Sequence, residues 1–179
     1  MRTAGMAAVA GAALAIAGVA RADVVEATPT GIQVKAVAEI AAPAAKVWEA
    51  LGHVGAWWNS EHSWSGDAKN LTLELKAGGC WCEANLPGGG AVHHMTVLMV
   101  MPPKTAVLDG TLGPLMFSGA TGHLVWSLAE KDGKTTLTQT YFVGGYYPGG
   151  LDKLAGPVDG VMTQAVGRLK AYVETGKPG

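Results

Sequence analysis

The change of hydrophobic period near Pro157 restricts the fold of this chain more than any other feature. Upstream, apolar residues recur at every second position in a series of short runs. Downstream, Val158, Val161, Met162, Ala165, Val166, Leu169, Tyr172 and Val173 recur at every third and fourth, with Arg168, Lys170 and Glu174 on the far side. A period of two is a strand with one buried face, and a period near 3.6 is a helix with one buried stripe. The chain therefore ends in one long amphipathic helix, which must lay its stripe on the sheet before it. Leu151 and Leu154 extend the stripe backwards, but Gly156 and Pro157 argue against a straight helix through them.

The alternating runs number seven. The first, GIQVKAVAEI, sets Ile32, Val34, Ala36, Ala38 and Ile40 against Gln33, Lys35, Val37 and Glu39. Pro43 then opens a helix carrying Val47, Trp48 and Leu51, and VGAWW makes a second short helical turn. Six further strands follow: LTLEL, CWCEANL, AVHHMTVLMVM, TAVLDG, GHLVWSLAE and TTLTQTYFV, with turn residues such as AGG, PGGG and KDGK between them. Glycine clusters such as GPLMFSGATG and VGGYYPGG read as turns rather than a disordered tract. This order predicts an α+β domain with a curved antiparallel sheet and a covering helix. A seven-stranded sheet curling around one helix is not filled by it, so a wedge stays open on either side.

Residues 1–22 read as an export leader, with Arg2, an apolar Ala/Gly-rich run and ARA before a mature start at Asp23. The run is short and weakly apolar for a spanning helix of ~20 residues. The expectation is an exported, periplasmic or secreted protein with no stable membrane span after cleavage. The other 157 residues suit one domain, residues 23–179. Loss of Arg2 and Arg21 with no acid moves the formal net charge from −1 to −3. Arg168 is then the sole arginine and the lysines are dispersed, which argues against a nucleic-acid partner.

Cys80 and Cys82 are the only cysteines. An exported pair is expected to be bridged, yet two residues along a flat strand separate α-carbons by about 6.7 Å with parallel side chains. Packed thiols are preferred on that ground over a bridge. Neither a zinc spacing with His93 and His94 nor any cofactor fingerprint is present, so the expectation is no metal and no cofactor. Of six tryptophans, Trp57, Trp58 and Trp64 fall within eight residues of otherwise polar loop, AWWNSEHSW, and something apolar must cover them.

Three segments carry a resemblance. AAPAAKVWEALGHVGAWW is similar to the helical segment after the first strand of the helix-grip (SRPBCC) superfamily, which includes START lipid-transfer domains, polyketide cyclases and dehydrases, and Bet v 1-like allergens. LKAGGCWCE resembles its second-to-third strand hairpin, and VMTQAVGRLKAYVETG its terminal helix. The resemblance covers nearly all of residues 23–179 and implies a fold with a cavity for an apolar small molecule, not a particular reaction. It places the tryptophan-rich loop at the cavity mouth, where Trp57 and Trp58 serve either as a plug of the core or as a lid, and Trp64 as a lid.

Candidate ligand-binding residues are Trp57, Trp58, His62, Trp64, Trp81, Glu83, Trp126, Tyr141 and Tyr146, with Tyr147 near the same approach. Glu83, His93 and His94 are the candidates for proton transfer. If Trp81 and Glu83 face inward, Glu83 is a carboxyl with a raised pKa; the opposite parity makes it a surface charge, the commoner state of a strand glutamate. His93 and His94 are adjacent on a strand, so one faces in and one out. No nucleophile–base pair or phosphate loop is present. The expected function is a monomeric or weakly dimeric carrier of a lipid, isoprenoid or polyketide-like aromatic. The alternatives are a cofactor-free cyclase/dehydratase using Glu83 or the inward histidine, and an interaction module like the Aha1-type Hsp90 activator domain.

Overall fold

The structure, a computed structural model, describes residues 21–179. Of the expected leader, residues 1–20 lie outside the described residues, and Arg21 and Ala22 open the first strand. Eight strands form one antiparallel sheet: β1 (Arg21–Thr28), β2 (Gly31–Ile40), β3 (Leu71–Leu73), β4 (Cys80–Leu86), β5 (Gly90–Met101), β6 (Thr105–Gly110), β7 (Gly119–Lys131) and β8 (Lys134–Tyr146). They lie in the order β1-β2-β8-β7-β6-β5-β4-β3. The strand missed in the sequence is β1, whose RADVVEAT overlaps the expected leader junction and alternates poorly. It pairs with β2 across the turn at residues 29–30.

Helices α1 (Ala44–Gly52) and α2 (Val54–Trp57) follow β2, and α3 (Ala155–Thr175) closes the chain. The interruption expected at Gly156–Pro157 is real: Leu151–Leu154 form a separate 3-10 turn. Pro157 is tolerated in the first turn of α3, where backbone N–H groups have no intrahelical acceptor. Gly176 ends α3 in the left-handed conformation, at φ 78°, and its N–H donates to the Tyr172 carbonyl.

The sheet's inner face and the α3 stripe make one core. Ile32, Val34, Ala36, Ala38 and Ile40 of β2 are buried as the alternation predicts, as are Met162, Ala165, Val166, Leu169 and Val173 of α3. Burying each large aliphatic side chain is worth about 1.5–3 kcal/mol. α3 packs mainly on β1 and β2, at one side of the curved sheet. The concavity opposite β4 to β7 is left for other groups. Among the described residues, no helix is long and apolar enough to cross a membrane.

Candidate functional site

Four indoles fill part of that concavity. Trp57 meets Trp58 with ring centroids 5.9 Å apart, Trp58 meets Trp81 at 5.1 Å, and Trp81 meets Trp126 at 6.1 Å. Beyond Trp58 a cavity of about 270 Å³ remains open. Its buried floor is Trp58, Leu115 and Tyr141, one wall is Val158, Val161 and Met162 of α3, and the more exposed lining includes His62, Trp64 and Leu112. The volume lies just below the roughly 300–1,000 Å³ range of small-molecule sites. It suits a compact guest.

The tryptophan-rich loop is divided between the core and the cavity lining. Trp57 is a core residue that does not reach the cavity, and its indole N–H donates to the Ala50 carbonyl at 2.8 Å. Trp58 walls the cavity and fastens the loop by donating to the His62 carbonyl at 3.0 Å. Trp64 is 38% exposed and meets the ring of Phe117, itself 78% exposed, edge-on at 5.6 Å. Asn59 Nδ2 donates to Gln164 Oε1 at 2.9 Å, and Arg168 Nε donates to the Trp57 carbonyl at 2.9 Å, so α3 holds the loop from its other side.

Glu83 and Trp81 face inward, which reverses the surface reading of Glu83; the glutamate is 1% exposed. Its burial is explained by what it binds. The carboxylate accepts the backbone N–H of Trp64 at 3.1 Å, that of Ser65, and His94 Nε2 at 2.9 Å. Burial alone pushes its carboxyl up, but the hydrogen bonds from Ser65, Trp64 and His94 outweigh it and hold the group below the ordinary carboxylate value. The raised pKa expected for an inward Glu83 is corrected accordingly. Glu83 is a carboxylate tied to the lid, and it is not in the cavity lining.

One of the two histidines faces inward, as alternation requires, and a β-bulge decides which. Trp81 pairs with Met95 while Cys82 pairs with His93, so His94 is the extra residue of β5 and points inward beside Met95. Gly110 permits the bulge: a Cβ there would lie 2.2 Å from the His94 carbonyl oxygen. Burial lowers the His94 pKa, against the raising effect of Glu83, leaving a neutral ring whose Nε2–H donates to the carboxylate. Its Nδ1 and the indole nitrogen of Trp81 are buried without a partner among the described residues. His93 is exposed on the outer face, with Nε2 2.8 Å from Thr96 Oγ1.

Three other expected site residues stand apart from the cavity. Trp81 lies behind Trp58 in the indole series. Trp126 is fully buried, its indole N–H donating to Gln139 Oε1 at 2.7 Å, and Gln139 in turn donates to the Met162 carbonyl. Tyr146 is 71% exposed at the end of β8, because the alternation of that strand breaks at Gly144 and Gly145. Tyr147 packs against the core edge instead. Tyr141 does reach the cavity. Its oxygen accepts the Leu112 N–H at 3.2 Å, while its own O–H has only a distant partner, the Gly110 carbonyl at 3.5 Å. Burial pushes this phenol well above its ordinary pKa, so it stays a neutral donor. The sequence reading missed Leu112, Leu115, Val158 and Val161, whose apolar character marks them equally well as core.

The packed-thiol reading of Cys80 and Cys82 is also overturned, since the structure joins them in a disulfide. The flat-strand estimate fails because β4 contracts opposite the bulge, bringing the α-carbons to 5.4 Å, inside the disulfide range.

Solved structures share the fold. DynU16, from the dynemicin biosynthetic locus, is 23% identical with a TM-score of 0.58 over 82% of this chain; the chain spans 48% of DynU16. CalU16 from Micromonospora echinospora is 13% identical with a TM-score of 0.53, covering 88% of this chain and 86% of its own. EF2215 from Enterococcus faecalis, a conserved protein of unknown function, is 18% identical with a TM-score of 0.55, covering 84% and 75%. No curated protein sequence matches the chain. Residues 31–174 match the sequence profile of a family described as polyketide cyclase / dehydrase and lipid transport. The helix-grip architecture, the cavity beside α3 and that match over most of the sequence agree, and the chain belongs to this polyketide cyclase / dehydrase and lipid transport family.

Proposed function

We propose that this protein is an exported carrier that holds one compact hydrophobic molecule, of the size of a small aromatic or short isoprenoid, between α3 and the lid. The observation that carries the reading is the cavity itself, which is apolar on most sides and has the Tyr141 hydroxyl in its lining. A neutral phenol with a weak internal partner is a donor suited to a carbonyl or hydroxyl of the guest. The volume favours a small ring system over a whole diacyl lipid. A continuous cavity also favours binding over a pure interaction module. Export rests on the leader pattern of residues 1–22.

A catalytic version has one observation in its favour, the same Tyr141 donor, which would polarise a bound carbonyl. Glu83 does not serve as the acid there, because its oxygens are engaged by Trp64, Ser65 and His94. Native mass spectrometry of protein purified from its own cells tests the reading. The expected spectrum shows a chain beginning at Asp23 with one small molecule bound. A retained leader would overturn export, and a guest-free chain that captures nothing from its own cell extract would overturn the carrier.

A further inference from the structure

The outer face of β4 carries a cluster that the cavity does not use. Cys80, Cys82 and His93 each present one donor atom, and these three lie within 4.8 Å of one another. Two atoms bound to a single ion sit no more than about 4.6 Å apart, twice a metal–sulfur bond of about 2.3 Å. His93 is thus near ligating reach of both sulfurs, which are bonded to each other here and must part before an ion can sit between them. The cysteines are half-buried and His93 is exposed, so solvent reaches the cluster from the side opposite the cavity.

The disulfide is an odd choice of staple. Its partners are separated by two positions in sequence, and the chain-entropy gain from cross-linking falls as the closed loop shortens. Here the loop is near the minimum. Cys80 and Cys82 are the only cysteines of the chain, so no alternative pairing competes.

We propose that Cys80, Cys82 and His93 form a redox-gated site for monovalent copper. A dithiol reductant opens the site: its two S–H groups close to a disulfide, and the two electrons and two protons convert the Cys80–Cys82 bond to two thiols. Cu(I) then binds both sulfurs and His93, displacing the two thiol protons to solvent. Two soft thiolates select Cu(I) over harder ions, and three donors complete a trigonal Cu(I) centre, whereas structural zinc takes four. Thr96 Oγ1, at 2.8 Å from His93 Nε2, is a hydrogen-bond partner that orients the ring at the site. In the oxidised form the sulfurs are bonded to each other and the site is closed.

The test uses the full exported chain, anaerobically, with Cu(I) supplied as its bathocuproine disulfonate complex. Reduced protein is expected to withdraw one equivalent of copper and to gain near-ultraviolet thiolate-to-copper absorption, while the oxidised protein withdraws none. His93→Ala is expected to weaken capture by about tenfold or more. Cys80→Ser with Cys82→Ser is expected to abolish it, and alkylation of the reduced wild type with iodoacetamide gives the same readout without a folding question. Equal capture by oxidised and reduced protein, capture that survives alkylation, or no capture by the reduced chain would overturn the site.

Discussion

Trp64, in the cavity lining, donates its backbone N–H to the buried carboxylate of Glu83 at 3.1 Å, so the loop beside the cavity is held by a strand residue that does not itself line it. Ser65 donates to the same group and His94 completes it. The bulge in β5 that turns His94 inward thus bears on access to a cavity several residues away.

Glu83→Gln tests that tie. The amide keeps the shape but presents an NH2 group to donors that need an acceptor. A buried donor left unsatisfied costs about 1–3 kcal/mol. The variant is expected to lose that much stability in urea unfolding and to show faster amide exchange at Trp64 and Ser65. Unchanged stability and exchange would mean that the lid is held elsewhere.

Tyr141→Phe removes the hydroxyl from the cavity lining and the acceptor of the Leu112 N–H. Stability is expected to fall by about 1 kcal/mol. Affinity for guests bearing a carbonyl or hydroxyl should drop by about tenfold, with little change for a purely hydrocarbon guest, as read by calorimetric titration.

Acid should loosen the contact that Glu174 of α3 makes with the Ala41 backbone. Burial pushes this carboxyl up, but the Ala41 N–H and Lys170 pull harder, and its pKa lies below the ordinary 4.5. A depressed native pKa means stability present above about pH 4.5 and lost as pH falls through the lower native value. Exchange of the Ala41 amide is expected to accelerate across that interval in the wild type. In Glu174→Gln it should follow only the intrinsic pH dependence of exchange.

Much of the fold was legible because alternation and helical period survive wherever one face is buried, as in β2 and α3. β1 was not, since RADVVEAT joins the leader region and its register shifts between Val24 and Glu26. At the site, alternation required one of His93 and His94 to face inward, but only the bulge settles which. The same contraction brought Cys80 and Cys82 within bonding reach, which a flat-strand distance hides. The polar neighbours of Trp64 in sequence point to a position at the surface, and the structure sets it in the cavity lining. Its partner Phe117 sits on a 3-10 turn, Gly113–Phe117, that reads in sequence as glycine-rich loop.

The most direct test of the account fills the cavity. Val161 lies in its α3 wall and is half-buried, so Val161→Trp is expected to occupy the space while leaving the fold intact. Methyl-resolved NMR titration with 1-naphthol should show saturable shifts at Val158, Val161, Leu112 and Leu115 in the wild type, and no saturable shifts at the remaining lining methyls in the variant. Equal binding by both proteins, or wild-type shifts confined to residues outside the lining, would contradict a guest site between α3 and the lid.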